Sequence, residues 1–159
     1  MTDPGDRAPA LGGSGRAVVI AGGVLLAVAV FLPWYWVPLA GGAGHVSGIA
    51  LSAKAPELGI LPALGLAAAL AGMVLGRVPR PLRESVSGPG ALAVGIVGLV
   101  VTLEVPIRLG GTLLSLYGTS FWGAAGLGWY LSMLGSFLIL AAGVVRMALP
   151  AERFSAAAA

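Results

Sequence analysis

The chain has 159 residues, of which 58% are hydrophobic and only 9% charged, with a formal net charge of +3 and no cysteine. A soluble domain carries about 25% charged residues, so this composition cannot cover a water-facing surface and lipid becomes the expected solvent. The absence of cysteine excludes disulfides, a thiolate nucleophile and cysteine-based metal sites. The basic balance is not a nucleic-acid signal, because the arginines sit between apolar runs and form no continuous basic face with interleaved aromatics.

Residues 1–15 are rich in Gly, Pro, Asp and Ser without hydrophobic period and read as a disordered tail. The expected membrane domain covers 16–148, with spans at about 17–36, 57–76, 86–107 and 121–145, and a second tail over 149–159. Each apolar run approaches the ~20 residues that cross a bilayer as a helix. The first run ends in Phe31-Leu32-Pro33-Trp34-Tyr35-Trp36, an aromatic cluster of the kind that collects where lipid meets water. Val37 to Pro56, punctuated by Gly41, Gly42, Gly44 and Gly48, reads as a loop. Pro62 falls in the first turns of the second span, where a missing N–H matters least. Arg77 to Glu84, with two prolines, reads as a basic turn; Pro89 is placed to open the third span, and Glu104-Val105-Pro106-Ile107-Arg108 to close it. Leu109 to Ser120 reads as a second loop before Trp122, Trp129 and Tyr130 open the last span.

Arg7, Arg16, Arg77, Arg80, Arg83, Arg146 and Arg153 would lie on one side of the bilayer, and only Lys54 and Arg108 on the other. Positive charge marks the cytoplasmic side, which puts both termini inside. Small residues at four-residue spacing (Gly23 and Ala27; Ala68, Gly72 and Gly76; Ala91 and Gly95; Gly128, Ser132 and Ser136) suit close helix packing, and packing within one chain accounts for them before a dimer face does.

Ionisable groups near a membrane are costly and often functional. Glu104 and Arg108, four apart, form the best candidate for an outer polar site, with Glu57 and Lys54 as a second pair at helix spacing. Structural readings stand beside both: a carboxylate and arginine closing a helix, and a carboxylate complementing a helix N-terminus. The interfacial aromatic belt comprises Trp34, Tyr35, Trp36, Trp122, Trp129 and Tyr130. His45 is the single histidine, without the neighbours a metal site needs. Neither a nucleophile–histidine–acid arrangement nor a phosphate-binding glycine loop is visible, so no catalytic, cofactor or metal residue is expected and the chain reads as a non-enzyme.

Phe31-Leu32-Pro33-Trp34-Tyr35, Ser47-Gly48 before the second span and Gly128-Trp129-Tyr130-Leu131 opening the fourth resemble the small four-span membrane proteins of high-GC bacteria that leave the first helix through Leu-Pro-Trp-Tyr. The resemblance spans roughly 16–146 and implies a fold and a location, with no activity attached. A looser likeness, in topology only, is to claudin-type proteins, whose paired extracellular cysteines are missing here. The expectation is therefore an all-α four-helix transmembrane bundle with both termini cytoplasmic and two outer loops, in the bacterial cytoplasmic membrane. Its partners would be the lipid bilayer and a membrane protein or a second copy, with no nucleic acid. The expected function is structural or accessory; the alternative is a small transporter or sensor binding a ligand at the outer end.

Overall fold

The computed structural model describes residues 10–39, 42–53, 56–74, 77, 80–118 and 120–148. Its elements are α1 (Ala10–Ala29), β1 (Pro33–Leu39), β2 (Gly42–Ser47), α2 (Gly48–Leu51), a 3-10 turn (Pro56–Gly59), α3 (Ile60–Val74), α4 (Arg80–Tyr117), α5 (Phe121–Ala124) and α6 (Leu127–Ala148). Three helical stretches, Pro56–Val74, Gly88–Arg108 and Leu127–Ala148, are long and apolar enough to cross a membrane. The apolar part of α1, Gly15–Ala29, is shorter.

The long helices pack in the order α3–α1–α6–α4, while α3 and α4 touch each other only sparingly. Small residues set this order, because between apolar helices in lipid the closeness of backbones does the work that water exclusion does elsewhere. Gly22 and Gly23 are neighbours on α1 and face different helices. A methyl group built on Gly22 would lie 2.8 Å from the carbonyl oxygen of Gly135 on α6. One built on Gly23 would lie 2.6 Å from that of Gly65 on α3. Two adjacent glycines thus let α1 pack closely on α3 and α6 at once, and α1 and α6 are the two inner helices of the row. Most of the small residues singled out in sequence are taken up inside the chain: Gly95 packs on Leu140, Gly72 on Ile20, and Ser136 on Gly98. Gly76 lies outside the described residues.

The expected last span is split, Phe121–Ala124 with Trp122 forming α5 and α6 starting only at Leu127, and the structure departs from the sequence expectation at four further places. Residues 33–47 are not a helix exit and loop but an antiparallel hairpin pairing Tyr35 with Val46, Trp36 with His45 and Val37 with Gly44. Aromatic and β-branched residues favour that extended state, and α1 already ends at Ala29. The fold is therefore helical with a small sheet, rather than all-α. Second, Ala10–Gly15 belong to α1 and not to a tail. Third, α4 begins at Arg80, so Pro81 stands in the first turn and Pro89 lies inside the helix rather than opening it. Fourth, α4 runs through Pro106 to Tyr117, so most of the expected second loop is helix. At ~1.5 Å per residue its 38 residues extend about 57 Å, well beyond the ~30 Å hydrocarbon thickness. Gly118, with φ at 64°, ends it in the left-handed conformation that glycine adopts without strain.

Candidate functional site

The hairpin end of the bundle is built around Trp34. Its ring is completely buried, and its Nε1–H donates to the carbonyl of Ala29 at 2.9 Å. The last carbonyls of a helix have no partner within it. Here Ala29 is bonded by Trp34 and by the Leu32 N–H, and Val30 receives the Ile49 N–H at 2.9 Å. The Gly126 N–H donates to Trp34 O at 2.7 Å, and Tyr35 forms a bridge with Ala125. The hairpin is thus fixed to the end of α1 on one side and to the start of α6 on the other.

Of the six aromatics expected at the interface, Trp36, Trp122 and Tyr130 are exposed, whereas Trp34, Tyr35 and Trp129 are buried in the protein core. Trp34 lies against Gly48 and Gly128, where a methyl group would meet its ring at 2.6 Å, and around Trp129 the rings of Phe121, Trp122 and Tyr130 meet edge to face at centroid distances of 5.1 to 5.9 Å. Such pairs add to simple area burial. His45 is exposed and sits edge-on to Trp36 at 5.6 Å. No group of three or more His, Asp or Glu side chains that could hold a metal occurs among the described residues.

The structure brings three of the four candidate polar residues together. Arg108 on α4 donates to Glu57 Oε1 at 2.9 Å through Nη1, and pairs through Nη2 with Glu104 one turn earlier. Glu57 lies in the 3-10 turn before α3. The guanidinium therefore clasps the two helices at the margins of the row, where they otherwise barely meet. Lys54 lies outside the described residues. Arg108 is 57% exposed, so water screens both pairs, and the cluster orients α4 more than it stabilises the fold.

A second polar cluster, between α4 and α6, escaped the sequence reading. Pro106 has no N–H, so the carbonyl four residues earlier, that of Thr102, loses its helical partner. Trp129 of α6 supplies one: its Nε1–H donates to Thr102 O at 3.0 Å. Neighbouring helices are what allow proline inside a membrane helix, and here the responsible donor can be named. The Thr102 hydroxyl donates to Gly98 O at 2.7 Å and shares a hydrogen bond of 2.8 Å with Ser132 Oγ. Thr102 and Ser132 are fully buried. Ser136, one turn further along α6, is equally buried, and its Oγ has no hydrogen-bond partner among the described residues. The signal in sequence was the pair Thr102 and Pro106, four apart, but the partner on α6 is far away along the chain.

These features define a multi-helix protein with helices long and apolar enough for a membrane, capped at one end by a fixed hairpin and an arginine clasp. No protein family, curated protein or solved structure compared with the chain matches it.

Proposed function

We propose that the chain is a non-enzymatic four-span protein of the bacterial cytoplasmic membrane, with both termini inside, acting as a structural or accessory subunit of a membrane assembly. The observation that carries this reading is the hairpin cap. A buried Trp34 and backbone bonds to both α1 and the start of α6 hold it, and exposed Trp36 and Trp122 stand on the same end of the bundle. A rigid cap with outward aromatic rings is suited to contact with another membrane protein, since Trp and Tyr give large contact areas at little entropic cost. The small-residue faces offer less, because packing within the chain occupies them. α1 serves as the fourth span in this reading: its apolar part, Gly15–Ala29, extends about 22 Å of the ~30 Å hydrocarbon core, and Val30, Phe31 and Leu32 carry the chain on towards the hairpin. The arginine distribution supports the inside placement of both ends.

Purification of the tagged protein in mild detergent from its native membrane, followed by mass spectrometry, tests the reading. A stoichiometric partner that is lost from a Trp36→Ala/Trp122→Ala variant is the expected result. A solitary species in both preparations contradicts it.

A second reading is favoured by one observation, the convergence of Glu57, Glu104 and Arg108 from separate segments: a ligand bound at the outer end by a small transporter or sensor. Glu104→Gln would abolish the response to such a ligand, and unchanged binding would remove the idea.

A further inference from the structure

The two ends of the bundle treat their arginines differently. At the hairpin end, Arg108 is held by two carboxylates. At the opposite end, Arg16 of α1 and Arg77 after α3 are exposed, and neither has a carboxylate within salt-bridge distance among the described residues. Both stand at the same end of the α1–α3 pair. The main-chain oxygen of Arg16 lies 3.6 Å from where a methyl group on Gly72 of α3 would sit, and the Arg77 N–H donates to Val74 O at 2.8 Å. α4 then starts with Arg80 and Arg83, and Arg146, itself partnered, ends α6 beside Gly15. The described backbone thus collects five arginines at this end against a single acid, Glu84. Arg77, Arg80 and Arg83 alone are a weak cluster, but the fold adds Arg16 from α1, which reaches four, the lower end of the four to eight basic residues that read as a site for anionic lipid.

We propose that this end binds the phosphodiester headgroup of an anionic phospholipid of the phosphatidylglycerol class, with Arg16 and Arg77 as its principal contacts. The guanidinium fork matches phosphate oxygens in pairs, which an ammonium cannot do. The occupant is a lipid rather than a free phosphate because of what lies directly beneath. Leu70, Met73 and Val74, exposed on the last turns of α3, offer acyl chains an apolar wall that ends at Arg77. The sparse contact between α3 and α4 leaves a seam beside that wall.

This inference rests on the membrane-spanning reading, and the experiment separates the two. The full chain is reconstituted into phosphatidylcholine vesicles with a minor fraction of phosphatidylglycerol, and spin-labelled versions of both lipids report which is held at the protein. Phosphatidylglycerol is expected to be enriched by roughly five-fold per contacting arginine at low salt. Part of the enrichment is expected to persist near ~1 M salt, where the Debye length falls to about 3 Å and diffuse attraction is gone. Arg16→Lys/Arg77→Lys should keep the low-salt enrichment and lose the high-salt part; Arg16→Gln/Arg77→Gln should lose both. If wild-type enrichment vanishes at high salt, or survives in the glutamine variant, the proposal is overturned. Extraction of the chain from the vesicles by carbonate would instead overturn the membrane-spanning reading itself.

Discussion

The pairing of Pro106 with Trp129 makes a prediction that separates it from simple packing. Trp129→Phe removes the N–H that serves the Thr102 carbonyl at 3.0 Å and also shrinks the side chain. The first effect leaves a buried carbonyl without a partner, which costs about 1–3 kcal/mol in soluble proteins. Membrane hydrogen bonds average nearer ~0.6 kcal/mol with a maximum of about 1.7, so ~1 kcal/mol is the expected size. The second effect is a packing loss that does not depend on residue 106. Pro106→Ala separates them, because an alanine there regains its N–H and can close the helical bond to Thr102 itself. Trp129→Phe should therefore cost about 1 kcal/mol less in the Pro106→Ala background than in the wild type. Equilibrium unfolding of the four proteins by sodium dodecyl sulfate in mixed micelles, followed by circular dichroism, measures this coupling. Equal costs in both backgrounds, within ~0.3 kcal/mol, would refute the assignment of Trp129 as the surrogate donor.

The two buried serines of α6 should behave oppositely in the same assay. Ser132→Ala breaks the bond to Thr102 and is expected to cost about 0.6–1 kcal/mol, whereas Ser136→Ala removes an unpartnered hydroxyl and should be neutral or stabilising. Gly23→Val is expected to drive α1 off α3 and lose the folded species on size exclusion. Gly90→Ala, with nothing within 4 Å, should be tolerated and gain up to about 1 kcal/mol from helix propensity. Gly118→Ala puts a side chain at φ 64° and should cost about 1 kcal/mol in the unfolding titration. Arg108→Gln is expected to change stability by less than about 1 kcal/mol, and by less still at high salt, because its partners are screened.

The long apolar runs were legible because composition alone dictates a lipid environment and a helix satisfies its own backbone there. The faces of those helices were partly legible, since the small residues mark close approach, although sequence could not say which helix each would meet. What failed was the reading of local punctuation. Pro106 looked like a stop, and it would be one in an isolated helix; the indole that rescues it lies on α6. Pro33-Trp34-Tyr35-Trp36 has the pattern of a helix end in lipid, but its aromatic residues also suit a strand, and Trp34 is the centre of the cap. Glu104 and Arg108 were found by spacing. Their third member, Glu57, pairs by spacing only with Lys54, because no local rule connects positions 57 and 108.

The most direct test of the four-span account uses the fact that the natural chain has no cysteine. Single cysteines are placed at Gly42 in the hairpin, at Gly118 after α4, at Arg77 between α3 and α4, and at Ala148 ending α6, all of them exposed. Intact spheroplasts are then treated with a membrane-impermeant maleimide before and after permeabilisation. The account predicts labelling of positions 42 and 118 from outside, with 77 and 148 reacting only once the membrane is opened. Labelling of all four from one side would contradict it.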